Sequence, residues 1–371
     1  MKKFKLFFVV VLALTLLLTA CSEATVDDPE DGGEPSDDTT EVKVGFLYVA
    51  PIGNEGFSYA HDQGRLYIEE ELGVETIYQE SVPETAEVEN VIANMVDQGA
   101  NVIFGTSFGF GEFMHNVAGD YPDVAFLHCS GYLDAENMNN YFGRMYEPRF
   151  LSGLVAGMKT ETNKIGYVAA YEIPEVIRGI NAFTRGVKTV NPDAEVHVVW
   201  THTWYDPANE KEAALSLIDN GADVIAQHQD TAAPQQGAEE KGAYAIGYHS
   251  ITEDVAPGAY MTAPIWDFRP YYKEQVEAYI NGTWEPENVW LGMNEGMVLL
   301  APLTDLAPEG AQIIVDEYTE KINNGEFHVF EGPLYDQDGN EIIGEGEVLT
   351  DEEMLSMDYF VEGVIGSLET E

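Results

Sequence analysis

Residues 86–104 read AEVENVIANMVDQGANVIF. Ala86 to Gln98 reads as a helix, Gly99 stops it, and Val102-Ile103-Phe104 follows as a short apolar strand. A helix that ends at glycine and gives way at once to a buried strand is one step of an α/β fold. The phrase returns at residues 209–227, NEKEAALSLIDNGADVIAQ, where Gly221-Ala222-Asp223-Val224-Ile225 echoes Gly99-Ala100-Asn101-Val102-Ile103. The echo predicts two lobes of one architecture, not an array of repeats.

Working outward from the first copy, Val42–Val49 is a β-branched and aromatic strand, Tyr59–Leu72 a helix and Glu75–Tyr78 a strand. After Phe104 come a helix at Glu112–Tyr121, a strand at Val124–Cys129 and a short strand at Tyr141–Gly143. The pattern restarts with strand Ile165–Ala169, helix Pro174–Asn191 and strand Glu195–Trp200. Helix Asn209–Asn220, strands Val224–Gln227 and Ala243–Gly247, and helix Arg269–Asn281 follow. Such alternation predicts the α/β class, with parallel sheets covered by helices on both faces. The expected lobes are 42–145 with about 268–305, and 146–267. Residues 306–371 are assigned to neither; Phe327–Gly344 reads as a hairpin turning at Asp338-Gly339, and Leu349–Ile365 as a helix capped by Thr350 and Glu353.

The N-terminus sets an expected compartment. Lys2, Lys3 and Lys5 precede an apolar run from Leu6 to Leu18, then Leu18-Thr19-Ala20-Cys21. This is a signal peptide (residues 1–20) with a lipobox, too short to be a membrane span, and it predicts lipidation of Cys21. Several acyl chains at about 0.8 kcal/mol per buried methylene give stable anchoring on the extracytoplasmic face of the cell membrane. Residues 21–41, rich in Asp and Glu and nearly free of apolar side chains, read as a disordered stalk. The remaining cysteine, Cys129, sits in an apolar strand and reads as a core residue.

With 17 basic against 66 acidic side chains the formal charge is −49. That excludes nucleic acid and anionic membrane surfaces as partners, and fits a halophilic or salt-tolerant setting in which the repulsion is screened.

Ligand sites in such folds lie on loops that follow strands. Here those loops are aromatic: Phe57, Tyr59, Phe108, Tyr171, Trp204, Tyr248 and Trp266. Planar walls with few polar groups suit a flat heterocycle. Ser107 and Gly109 belong to a glycine-rich helix-entry loop able to offer backbone N–H groups, though its spacing is wrong for a dinucleotide. Walker, nucleophile-elbow, His-Glu-x-x-His and Cys-x-x-Cys motifs are absent, the histidines lack metal-ligand spacing, and Glu172, Asp230 and the loop histidines are the sole candidate acids or bases. The expectation is a binding protein without cofactor or metal, not an enzyme.

From the lipobox to about Leu303 the layout resembles the basic membrane protein (BMP) family of ABC-transporter solute-binding lipoproteins, which includes purine nucleoside receptors. The resemblance is carried by Lys43-Val44-Gly45, the Asn54–Gly64 loop, the two Gly-Ala phrases, Tyr141-Phe142-Gly143 and Leu151–Gly157. It continues through Ile165–Ala169, Glu172-Ile173-Pro174, Phe183–Gly186 and Asp206-Pro207. It implies a type I periplasmic-binding fold with lobes closing on a small molecule, an ABC permease as partner, and Phe57 and Trp204 as stacking aromatics. It also marks departures. Asn54 stands in place of an Asp that contacts the base, His249 in place of an Asp that grips the ribose, and Trp266 in place of a Lys near the sugar. Asp230 then becomes the acceptor for a base N–H. These departures favour a free base (adenine, hypoxanthine or guanine) over a nucleoside. The alternative is a sensory or signalling lipoprotein using the same ligand-closed lobes.

Overall fold

The computed structural model describes residues 42–368; the expectations for the signal peptide, Cys21 and the stalk lie outside them. Strands β1 (Lys43–Leu47), β2 (Glu75–Gln79), β3 (Val102–Gly105), β4 (Ala125–Cys129) and β5 (Met138–Gly143) alternate with helices α1 (Gly56–Leu72), α2 (Glu87–Asp97) and α3 (Gly111–Ala118). Helix α4 (Tyr146–Lys159) opens a second series. In it β6 (Lys164–Ala169), β7 (Glu195–Trp200), β8 (Val224–His228), β9 (Tyr244–Ile246) and β10 (Tyr260–Thr262) alternate with α5 (Pro174–Val190), α6 (Pro207–Asp219) and α7 (Ala233–Lys241). The remainder comprises β11 (Pro264–Trp266), α8 (Arg269–Ile280), β12 (Val289–Leu291), β13 (Val298–Leu300) and α9 (Ala311–Asn323). It ends with β14 (Leu334–Tyr335), β15 (Glu341–Ile343), α10 (Asp351–Leu355) and β16 (Val364–Ile365).

The strands form two six-stranded sheets, ordered β12-β5-β4-β3-β1-β2 and β10-β9-β8-β6-β7-β16, with every neighbouring pair parallel. Five strands of each share one doubly wound order, so each sheet has its switch point beside its first strand, β1 or β6.

The echoed phrases share one backbone hydrogen-bond pattern. Gly99 and Gly221 hold φ of 94° and 100°, which a side chain disfavours. Behind them Ala100 N donates to Met95 O and Ala222 N to Leu217 O. The next residues, Asn101 and Asp223, donate to Lys43 O and Lys164 O at the starts of β1 and β6. The glycine thus ends the helix and sets the strand's register together.

The chain passes between the sheets three times: at 143–146, at 262–269 and at 291–304. The second and third passes pair as an antiparallel ribbon, Pro264 with Leu300 and Trp266 with Val298. Before the ribbon returns, β12 adds to β5 and Tyr271 and Tyr272 of α8 enter the core of the first half. After it, Thr304 N donates to Met261 O and the chain stays with the second half. There β16 extends the sheet beside β7, and Val315, Phe330, Met357 and Phe360 enter that core.

The tail corrects one expectation. Thr350 and Glu353 do form a capping box, but α10 lasts only to Leu355. Beyond it Met357, Phe360, Val361 and Val364 bury at the i, i+3, i+4, i+7 spacing that reads as a helix, yet the chain there is not helical, and Gly363 (φ 95°) turns it into an edge strand. No helix among the described residues is long and apolar enough to cross a membrane.

Candidate ligand-binding site

The carboxyl ends of both sheets face a shared cavity, about 20 Å³ in this closed form. Val49 follows β1, Phe57 lies in the first turn of α1, Ser107 and Phe108 follow β3, Ser130 follows β4, and Phe142 ends β5. From the second half come Glu175 in the first turn of α5, Trp204 after β7, and His228 and Asp230 at the end of β8. Tyr248 and His249 follow β9, and Trp266 lies on the inter-sheet ribbon.

The two halves touch around it. Gly56 N donates to Ser250 Oγ (3.2 Å) and Ala232 N to Glu55 Oε1 (3.2 Å). Ser130 Oγ–H donates to Glu175. Gly56 holds φ 90°, and a Cβ there would stand 2.0 Å from Asp230 O, so only glycine permits this approach. These contacts describe a closed cleft.

Phe57 packs on His249 (centroids 5.0 Å) and Trp266 (5.8 Å), Trp266 meets Phe142 at 5.1 Å, and Tyr248 meets His249 at 3.6 Å. The Trp266 Nε1–H donates to His249 Nδ1 (3.0 Å), which leaves the neutral ring's proton on Nε2, 3.3 Å from Asp230 Oδ1. Asp230 Oδ2 is buried without a partner.

Comparison with known proteins bears on this architecture. The Bmp family model, described as ABC transporter substrate-binding protein PnrA-like, matches residues 41–330. The chain belongs to the Bmp family. A purine-binding protein of Brucella abortus (strain 2308) is 40% identical over 326 residues, 87% of this chain and 93% of the relative. A Haloferax volcanii protein, provisionally named an ABC transporter glucose-binding protein, is also 40% identical, over 353 residues, 94% of this chain and 86% of its own. The crystal structure of an ABC transporter solute-binding protein from Aeropyrum pernix K1 matches with a TM-score of 0.69 at 21% identity, over 77% of this chain and 92% of its own, a likeness of fold alone. The fold is that of type I periplasmic solute-binding proteins. This Bmp protein is therefore a solute-binding component of an ABC transporter, working on the extracytoplasmic side, and not an enzyme.

Of the residues expected in the site, the Bmp fold brings Phe57, Ser107, Phe108, Trp204, Asp230, Tyr248, His249 and Trp266 to the cavity wall. Four others lie outside it. Asn54 is exposed at the tip of the β1–α1 loop, and Tyr59, two residues past Phe57 on a helix, faces away from it. Gly109 gives its N–H to Glu84 Oε1 (2.9 Å), and Tyr171 backs Trp204 edge-on at 5.0 Å. Sequence reasoning missed Ser130, Phe142 and Glu175; the bond between Ser130 and Glu175 joins distant segments and has no local signature.

The Bmp pocket is acidic. Burial first, then Glu210, Glu84 and Glu175, push the Asp230 carboxyl well above the usual range. Burial lowers His228 to about 4, outweighing the opposing pull of Glu175. His249 is held well below its ordinary value by burial, then by His228, Arg149 and His61. Both rings are thus neutral. The cation nearest the wall is Arg149, fully buried, its guanidinium 3.5 Å over the Tyr248 ring and donating to Gln227 O (2.6 Å). Among the described residues no group of His, Cys, Asp and Glu is placed to hold a metal, and Cys129 is buried in the sheet.

Proposed function

We propose that this Bmp protein captures a free purine base, stacked between Phe57 and Trp204, and delivers it to an ABC importer. The reading is carried by the 3.0 Å hydrogen bond between Trp266 and His249. At the two positions where nucleoside receptors of the family hold the ribose with Asp and Lys, this chain spends its polar atoms on itself and fills the space with rings. Cavity walls made mainly of aromatic side chains suit a flat base. The purine-binding relative from Brucella supports the ligand class. The lipobox supports anchoring through Cys21, and the charge of −49 supports a saline environment.

The equally similar Haloferax relative favours a second reading, a hexose. A sugar's many hydroxyls need many polar partners, yet the wall carries no Lys, Arg, Asn or Gln. Calorimetric titration of refolded, ligand-stripped protein with adenine, adenosine and glucose separates the cases. The base is expected to bind tightest; tighter binding of adenosine or glucose would replace the proposal.

A further inference from the structure

Resting on the purine-base reading, we infer that Asp230 distinguishes a free base from a nucleoside by accepting the imidazole N–H that glycosylation removes. Four of the wall's own donors are already spent. Ser107 Oγ–H goes to Glu84 Oε1 (2.6 Å) and Trp204 Nε1–H to Glu84 Oε2 (3.3 Å). Ser130 Oγ–H goes to Glu175, and Trp266 Nε1–H to His249. The His249 Nε2–H that remains stands 3.3 Å from Asp230 Oδ1 without making a hydrogen bond. His228 Nδ1 also lacks a partner, but a Cβ on Gly179 would stand 3.8 Å from it and 3.6 Å from Arg149 Nε, which places it toward α5. Beside that N–H the wall leaves one acceptor unmet, Asp230 Oδ2. A buried acceptor without a partner is costly, so a ligand that brings an N–H to it gains selectively over one that does not.

The position of Asp230 says which N–H. His249 and Trp266 stand where the resemblance puts the sugar end of a nucleoside, and Asp230 lies against His249. A base oriented the same way directs its N9 edge at Asp230. In every free purine the imidazole ring carries one hydrogen, on N9 or N7. In a nucleoside N9 bears the sugar and N7 bears only a lone pair, so that edge has no donor. Asp230 is also set rigidly: its N–H donates to Trp204 O (3.1 Å) and its carbonyl abuts Gly56. Discrimination therefore needs no clash with the sugar.

The test is titration of the full chain with adenine, 7-deazaadenine and 9-methyladenine, each against wild type and Asp230→Leu. The deaza base keeps N9–H and is expected to bind within about threefold of adenine, and the methylated base at least about tenfold more weakly. Leucine keeps the volume and offers no acceptor, so in Asp230→Leu the gap between adenine and 9-methyladenine is expected to shrink to within about threefold. Equal binding of adenine and 9-methyladenine by wild type overturns the inference. So does an undiminished gap in Asp230→Leu, which would make the discrimination steric. If that variant fails to fold, the wild-type comparison of deaza and methyl bases decides. Failure of every purine base to bind would instead remove the base reading itself.

Discussion

Glu84 of the first half and Trp204 of the second are joined across the cleft by a 3.3 Å hydrogen bond from the indole N–H. The same carboxylate holds Ser107 Oγ (2.6 Å) and Gly109 N (2.9 Å), and it fits because Gly109 has no side chain: a Cβ there would lie 2.5 Å from the carboxyl carbon. One acidic group thus orients an aromatic wall and ties the halves together when closed. Glu84→Ala is expected to weaken ligand binding by about 1–2 kcal/mol, the worth of a charge-assisted hydrogen bond. The melting temperature of the ligand-free protein should also fall, because the bonds to Ser107 and Gly109 lie within the first half and are lost whether the cleft is open or closed. An unchanged dissociation constant would show that Trp204 is held by its packing on Tyr171 instead.

The pH dependence of binding has a defined sign. Burial and the neighbouring Glu210, Glu84 and Glu175 favour a protonated Asp230 in the empty pocket, with neutral His249 beside it. A ligand N–H favours the carboxylate. Binding then releases a proton, and affinity rises with pH up to the raised pKa of the empty site and levels off above it, at up to about tenfold per pH unit. Glu210 is itself pushed up to about 7 by burial and titrates in the same range. Titrations across roughly pH 5 to 9 on wild type and Asp230→Asn therefore decide: the slope is expected in the first and not in the second.

Much of this was legible before any coordinates, for physical reasons that differ by element. The Gly99 and Gly221 phrases were clear because a helix stop and a strand start share one glycine and one backbone bond pattern. The wall was partly legible because strand ends in a doubly wound sheet are ligand sites whatever the sequence. Which aromatic on a loop faces inward was not: Phe57 and Tyr59 look alike in sequence and point apart in the helix. Helix α4 was hidden by its composition. Ser152, Gly153 and Gly157 are weak helix formers, and tertiary packing alone explains them.

That packing makes a prediction whose sign opposes propensity. A Cβ on Gly153 of α4 would lie 2.1 Å from Phe183 O of α5, and one on Gly186 2.0 Å from Phe150 O. The two helices touch backbone to backbone. Propensity alone would have Gly153→Ala stabilise by up to about 1 kcal/mol. Overpacking against a carbonyl instead predicts destabilisation of about 1–3 kcal/mol, read as a lower denaturation midpoint. A stabilised Gly153→Ala variant would mean that α4 and α5 can separate at little cost.

Restoring the sugar grip is the sharpest trial of the base preference. His249 and Trp266 lock each other, and their rings pack with Phe57 at 5.0 and 5.8 Å. The paired substitution His249→Asp with Trp266→Lys removes both rings and introduces the charged groups that nucleoside receptors of the family carry there. It also breaks the bond that fixes the His249 proton toward Asp230. The double variant is expected to gain affinity for adenosine relative to adenine by about 1–3 kcal/mol, from new hydrogen bonds to the ribose hydroxyls. Either substitution alone should bind both ligands worse, since an unpaired Asp or Lys in this buried corner is costly. Paired calorimetric titrations with adenine and adenosine measure the ratio directly. A double variant that keeps the wild-type ratio would locate the choice between base and nucleoside away from residues 249 and 266.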